Sequence, residues 1–138
     1  VKDENFGKRP ELIVGHKQKE TATVNPRCAS RIGGGFSNVS PKLQKPGDFG
    51  EFNLIVRSPG EWEVFLDHAR TDTGRKLQVS IGEQKHLIQP TGTFTRAGSF
   101  TFSNQDERLT LRIEANPQDS STEMIISRLK KITLRKVR

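Results

Sequence analysis

Short stretches in which apolar and polar residues alternate are the feature that most limits how this chain can fold. Alternation of this kind runs through residues 52–56, 62–66, 77–81, 100–102 and 109–113. A period of two residues is typical of a β-strand with one buried face, whereas an amphipathic helix repeats every 3.6 residues. Turn residues separate the stretches, and the turn at residues 58–60 predicts a hairpin between its flanking strands. The pattern predicts an all-β fold, an antiparallel β-sandwich of the jelly-roll type with about eight or nine strands.

The two ends of the chain limit the predicted domain. Residues 1–19 have few apolar anchors, and we interpret them as a linker or a weakly ordered N-terminal extension. The sandwich is predicted to occupy residues 20–138, with its first strand at 20–24. The last predicted strand, residues 124–134, loses its alternation near Leu129. A β-bulge there would turn Arg128 or Lys130 towards the surface. Alternatively, the strand leaves the sheet at this point.

Charge is distributed unevenly along the 138 residues. The chain has 23 basic and 16 acidic side chains and a formal net charge of +7. Residues 1–31 carry seven basic and four acidic side chains (+3), residues 32–123 carry ten and twelve (−2), and residues 124–138 carry six and none (+6). The excess on the last element favours an anionic partner such as nucleic acid or an acidic polysaccharide. No apolar run approaches the roughly 18 residues that span a bilayer, which excludes membrane insertion.

No residue pattern typical of an enzyme occurs in the sequence. Cys28 is the single cysteine and cannot form an internal disulfide. The three histidines lie far apart, and the glycine run at residues 33–35 lacks the lysine and helix of a P-loop. Glu61 and Glu63 share one face of a predicted strand, and we interpret them as a solvated face rather than as a glycosidase carboxylate pair. The sequence therefore predicts a non-catalytic protein.

Four segments of the chain together form a recognisable pattern. The run from Gly47 to Ala69 has two strands around a Pro-Gly turn and ends in an aromatic-x-Val-x-x-x-x-Ala motif. Residues 77–82, 91–94 and 129–134 follow in order, as a strand before a short turn, a Thr-Gly-x-aromatic loop and a closing strand. Over about residues 20–135 the chain resembles carbohydrate-binding modules of families 6 and 35. It is also similar to β-sandwich domains appended to bacterial fucosidases and sulfatases. The resemblance implies a galactose-binding-like fold and a carbohydrate ligand.

The resemblance also implies a ligand site at one rim of the sandwich. In those modules the aromatic residue of Thr-Gly-x-Trp stacks on a sugar ring, and Phe94 occupies this position here, followed closely by Arg96. The loop that supplies the opposite wall contains Arg70 and Asp72 but no aromatic residue, and Arg128 stands where the family commonly has an asparagine. Guanidinium groups match the oxyanions of sulfate and carboxylate. The predicted ligand-binding residues are Phe94, Arg96, Arg70, Arg128, His68 and Asp72.

The family further implies a structural calcium ion held by carboxylates near the first strand and on the last. Glu20 matches one of these positions, but Lys130 replaces the other. An ammonium group cannot ligate a cation. We therefore predict that this calcium ion is absent and that the chain binds no cofactor or metal.

Three functions follow from these features. The first is a carbohydrate-binding module for an anionic polysaccharide, sulfated or uronic, that targets an attached enzyme to its substrate. The alternative is a structural accessory domain of a glycoside hydrolase or sulfatase with no ligand of its own. Binding of nucleic acid or another polyanion by the basic C-terminal strand ranks third, because residues 124–138 lack interleaved aromatic residues for base stacking.

The first residue of the chain and the family resemblance lead to expectations about an attached domain and about localisation. Because the chain begins at Val1 rather than at a methionine, we expect a domain cut from a longer protein that includes a catalytic domain. The resemblance implies a secreted, cell-surface or periplasmic location in a bacterium. No membrane partner is expected.

Overall fold

The computed structural model describes residues 12–15 and 20–137, and within them the chain forms ten β-strands and one short 3-10 helix, Pro26–Cys28. The strands are β1 (Leu12–Val14), β2 (Thr21–Val24), β3 (Arg31–Gly33), β4 (Phe49–Val56), β5 (Gly60–Thr71), β6 (Leu77–Ile81), β7 (Gln84–Ile88), β8 (Gly92–Phe102), β9 (Glu107–Ala115) and β10 (Leu129–Lys136). Across the same residues, no helix has the length and hydrophobicity needed to cross a membrane.

The strands form two sheets. In the first sheet the order is β1-β4-β9-β6-β7, with β3 also paired to β4, and in the second sheet it is β2-β10-β5-β8. All pairs are antiparallel except β1 with β4. The predicted all-β sandwich is confirmed.

One hydrophobic core lies between the two sheets. Every second residue of β4 is buried from Gly50 to Val56, as the alternation predicts. From the second sheet, Trp62, Val64 and Leu66 of β5 are fully buried in the same core. Burial of each large apolar side chain is worth about 1.5–3 kcal/mol, which is why the alternation decides the inward face of each strand.

The strands on either side of residues 58–60 do not pair with each other. β4 belongs to the first sheet and β5 to the second, so the turn carries the chain across the core. The Trp62 Nε1–H group donates a hydrogen bond of 2.9 Å to the Ser58 carbonyl oxygen and fixes this crossing. The predicted hairpin is wrong because alternation identifies the buried face of a strand but not the strand with which it pairs.

Part of the predicted N-terminal extension is a strand. Residues 12–14 form β1, which lies parallel to β4 with Val14 opposite Val56, and the Val14 side chain is fully buried. β2 follows within the predicted first strand. Residues 1–11 and 16–19 lie outside the described part of the chain, so the rest of the predicted extension stays a prediction.

The last strand contains an irregularity close to the predicted position. β10 begins at Leu129, and its register with β5 shifts between Leu129 and Lys131, which leaves Lys130 as an extra residue. The bulge predicted near Leu129 is confirmed. The chain has also left the β5 ladder before Leu129, since residues 124–128 precede the strand. Both Arg128 and Lys130 are exposed as a result.

Candidate functional site

Four predicted site residues with exposed side chains lie at one end of the second sheet, where β2 and β5 end and β8 and β10 begin; one of them is Asp72, which directly follows β5. We call this end the rim. Arg70 is close to the end of β5, and Arg128 immediately precedes β10. The Ala69 N–H group donates to the Arg128 carbonyl oxygen over 2.9 Å. Phe94, near the start of β8, lies opposite Asp67 of β5. The tertiary structure therefore brings all four residues to the same rim.

Phe94 presents an aromatic ring to solvent. It lies within strand β8 rather than in the predicted loop, and it is 56% exposed. Its ring stacks on that of Phe65 with centroids 5.5 Å apart and an interplanar angle of 14°. Phe65 is only 8% exposed. The Arg135 guanidinium also packs over the Phe65 ring, with its Cζ atom 4.7 Å from the ring centroid. Packing against Phe65 therefore holds Phe94 as a fixed apolar surface.

Arg96 and the Arg70–Asp72 pair are engaged differently. The Nε atom of Arg96 lies 2.8 Å from Oε2 of Glu63, on the outer face of the second sheet and further from the rim than Phe94. Arg70 Nε and Asp72 Oδ2 are 3.6 Å apart, and both side chains are well exposed. Exposed ion pairs contribute about 0–1 kcal/mol. Arg70 is therefore easily released to a ligand, whereas Arg96 is held along the sheet.

His68 does not reach the surface. It is 1% exposed and lies on the inward face of β5, two residues after Leu66. Its Nδ1 and Nε2 atoms are each 2.8 Å from an oxygen, the Ala69 carbonyl and the Thr95 hydroxyl respectively. Because a carbonyl only accepts, Nδ1 carries the proton and Nε2 accepts from Thr95 in the neutral ring. The structure places the predicted ligand residue His68 in the core, and its phase with Leu66 is the sequence signal for that position.

Arg128 lines a depression of about 390 Å³ at the rim. The residues around it are Asn25, Pro26, Arg27, Pro41, Arg128, Leu129 and Lys130. Three of these residues are cationic and none is acidic. We call this feature the basic depression. Arg27 was not predicted as a site residue, because the contact between the segment after β2 and the start of β10 depends on sheet pairing.

Local structure explains how the basic depression forms. Asn25 caps the short helix, and its side-chain oxygen accepts a 2.9 Å hydrogen bond from the Arg27 N–H group. Pro26 follows the cap, where its fixed φ suits the first helical turn. On β10, the bulge at Lys130 exposes that side chain, and the Leu129 N–H group donates to the Pro41 carbonyl oxygen over 2.8 Å. Each wall is held by backbone contacts.

A buried carboxylate organises the loop that contributes Pro41. Asp48 is 2% exposed and accepts hydrogen bonds from the N–H groups of Gly35 (2.6 Å), Gln44 (2.9 Å) and Lys45 (3.0 Å). Gly34 has a φ of +60°, and a Cβ atom there would collide with this carboxylate. Burial alone would raise the pKa of Asp48, but these hydrogen bonds and the nearby Lys45 charge lower it below its usual value.

A buried arginine fastens the loops behind the rim. Arg75 is 7% exposed, and its Nε atom lies 3.0 Å from Oδ2 of Asp119. Its Nη1 atom also donates to the carbonyl oxygens of Gln44 and Glu123. Hydrogen bonds from the Ser121 N–H group and from Arg75 lower the pKa of Asp119. These contacts join the segments before β4 and before β10 to the loop after β5.

The two positions matched to the calcium site do not meet. β2 and β10 are antiparallel, and the Lys136 N–H group donates to the Glu20 carbonyl oxygen over 2.8 Å. Glu20 is therefore beside the last residue of β10, whereas Lys130 is near its start. Over residues 12–15 and 20–137, no group of three or more His, Cys, Asp or Glu side chains is placed to hold a metal ion.

Comparison with known proteins identifies a shared fold. No protein-family model matches the sequence, and no curated protein sequence matches it. The CBM36-1 domain of a multidomain xylanase from the hindgut metagenome of Trinervitermes trinervoides superposes with a TM-score of 0.59 and 9% identity, covering 86% of this chain and 98% of that domain. The GH26-CBM35 β-(1,4)-mannanase of Podospora anserina gives 0.56 and 13%, covering 88% of this chain and 28% of the mannanase.

The same fold also occurs in a toxin. The insecticidal δ-endotoxin Cry8Ea1 of Bacillus thuringiensis gives a TM-score of 0.57 at 12% identity, covering 93% of this chain and 26% of the toxin. This chain thus spans only about a quarter of the two longer proteins. Identities this low establish fold alone. The chain has a β-sandwich fold like that of carbohydrate-binding modules.

Proposed function

We propose that this chain is a non-catalytic carbohydrate-binding module that binds an anionic polysaccharide at the rim and targets an attached enzyme to that substrate. The observation that carries the proposal is the exposed Phe94 ring at the same rim as Arg70 and Arg128. An aromatic face packs against the apolar face of a sugar ring. Guanidinium groups beside it supply paired donors for sulfate or carboxylate oxygens.

The residue pattern supports the same proposal. Its likeness to families 6 and 35 aligns Phe94 with their sugar-stacking residue and Arg128 with their ligand-binding asparagine. The fold shared with domains of a xylanase and a mannanase supports attachment to a catalytic domain. A polysaccharide too large to enter a cell is met outside it, so we also propose a secreted, cell-surface or periplasmic location in a bacterium.

Affinity electrophoresis tests this function. Native gels containing carrageenan, polygalacturonate or galactomannan separate sulfated, uronic and neutral ligands. We expect the wild-type protein to be retarded by an anionic polysaccharide more strongly than by galactomannan. Phe94→Ala should weaken that binding by roughly tenfold, about 1.4 kcal/mol, because the apolar surface of the ring is lost from the contact.

Leu87→Ala is the matched control. Leu87 is 50% exposed but lies on β7 of the first sheet, so its loss should leave retardation unchanged. A thermal melt of each variant checks folding. If none of the three polysaccharides retards the protein, the carbohydrate-binding proposal is wrong and a structural accessory domain becomes the better interpretation.

A further inference from the structure

We infer that the basic depression recognises a tetrahedral oxyanion ester with three terminal oxygens, as in a sulfate or phosphate monoester, in preference to a carboxylate. The inference rests on the proposed function and adds the chemical class of the charged group. It assigns ligand-binding roles to Arg27 and Lys130 beside Arg128.

The cations of the basic depression have no carboxylate partner among residues 12–15 and 20–137. In the described part of the chain, no carboxylate forms an ion pair with Arg27, Arg128 or Lys130. The other described arginines have a charged or aromatic partner or another contact: Arg31, Arg57, Arg70, Arg75, Arg96, Arg108, Arg112 and Arg135. Grouping three like charges around one depression is unfavourable without a counter-charge. An anionic ligand would supply that counter-charge.

The number of cationic groups distinguishes between anions. A single guanidinium contacts both oxygens of a carboxylate in a bidentate pair, so two further cations would have to share oxygens that are already in contact. A sulfate or phosphate monoester has three terminal oxygens directed apart. Arg27 approaches from the segment after β2, and Arg128 and Lys130 approach from the start of β10. Each of the three can therefore contact a different oxygen.

The walls of the basic depression are ordered before any ligand binds. The Asn25 cap holds the backbone of Arg27, Pro26 and Pro41 are buried, and Leu129 is 1% exposed. A volume of about 390 Å³ lies within the roughly 300–1,000 Å³ of small-molecule sites. A preordered site loses less conformational entropy on binding. The depression is large enough for the ester group and part of the sugar that bears it.

A set of polymers with one backbone isolates the charged group. Binding of the whole protein to dextran, dextran sulfate, dextran phosphate and carboxymethyl dextran is measured by isothermal titration calorimetry at one ionic strength. We expect dextran sulfate or dextran phosphate to bind at least tenfold more tightly than carboxymethyl dextran of equal charge density. Whichever of these two polymers binds more tightly identifies the recognised group as a sulfate ester or a phosphate ester. Equal or tighter binding of carboxymethyl dextran would overturn the inference.

Paired substitutions separate this site from general charge attraction. Arg27→Gln/Arg128→Gln removes two cations of the basic depression and should weaken dextran sulfate binding tenfold or more, since charge-assisted hydrogen bonds are roughly twice as strong as neutral ones. Arg57→Gln/Lys85→Gln removes the same charge from exposed positions outside the rim and should change the affinity less than about twofold. Equal losses in the two double variants would show that only net charge matters.

The two proposals fail in different ways. If polysaccharide binding depends on Phe94 but is unchanged in Arg27→Gln/Arg128→Gln, the proposed function stands and the oxyanion site is rejected. If no polysaccharide binds the wild-type protein, both are rejected. If a single-stranded DNA oligonucleotide binds more tightly than dextran sulfate, with a steep salt dependence, the basic depression belongs to a nucleic-acid interface and the inference is overturned.

Discussion

At the scale of single residues, substitution of Arg75 measures how much one buried charge contributes to the stability of the fold through the loops behind the rim. Replacing it by methionine in Arg75→Met keeps most of the side-chain volume but leaves the carbonyl oxygens of Gln44 and Glu123 without their donor. We expect the free energy of unfolding to fall by about 2–4 kcal/mol, because the substitution removes several hydrogen bonds of one buried guanidinium, and a hydrogen bond to a charged group contributes roughly 1.5–3 kcal/mol. Urea denaturation measures this change.

The control for this substitution is Arg57→Met. Arg57 forms an exposed pair with Asp106, with Nη1 and Oδ1 3.1 Å apart, and the loss should be below about 1 kcal/mol. A decrease for Arg75→Met no larger than that of the control would show that its buried contacts do not stabilise the fold.

At the scale of elements, the bulge in β10 links the closing strand to the proposed site. Leu129 is opposite His68 and Lys131 is opposite Asp67, so Lys130 is the one residue of this stretch without a place in the ladder. Deletion of Lys130 would leave Leu129 facing inward and Lys131 outward in a regular strand. We therefore expect the deletion variant to fold with a melting temperature within about 5 °C of the wild type.

The same deletion should damage the site. Without the bulge, the start of β10 loses its local bend and extra twist, which changes the direction of Arg128 relative to Arg27, so we expect dextran sulfate affinity to fall at least tenfold. Lys130→Ala, which keeps the bulge and removes one cation, is the comparison and should lose less. Wild-type affinity in a folded deletion variant would mean that the bulge does not position the site.

At the scale of the whole molecule, stability should depend on pH below about 5. The pKa values of Asp48 and Asp119 are lowered from an ordinary value of 3.8. A carboxyl group whose pKa is lower in the folded than in the unfolded chain stabilises the fold above the unfolded value, and this contribution is lost as the pH falls through the folded value. Thermal melts between pH 7 and pH 2 should therefore show a plateau above about pH 5 and a decrease below it.

Asp48→Asn identifies the main source of this dependence. An amide offers one acceptor oxygen in place of two, and its NH₂ group faces backbone donors. The variant should be less stable at pH 7 by about 1.5–3 kcal/mol and should lose less stability on acidification. Asp106→Asn removes the same charge at an exposed position and should keep the wild-type acid response. An unchanged acid response in Asp48→Asn would contradict this assignment.

Much of the fold could be predicted from the sequence because strand formation is a local property. The alternation at residues 52–56 and 62–66 identified the buried faces of β4 and β5, and the slip near Leu129 identified the bulge. The pairing of these strands could not be predicted. A turn such as residues 58–60 fits a hairpin and a crossing between sheets equally well, and the choice depends on where Trp62 and its neighbours are buried.

The candidate site shows the same division. The resemblance to families 6 and 35 predicted an aromatic contact at Phe94 and a shared rim, and the residue types at the matched positions predicted cationic contacts at Arg70 and Arg128. Only the tertiary structure placed Arg27 beside Arg128, whereas the phase of His68 with the buried Leu66 already indicated an inward side chain. The physical reason is that side-chain period and turn chemistry depend on neighbouring residues. The partners of a charge depend on which distant segments meet when the two sheets close on their common core.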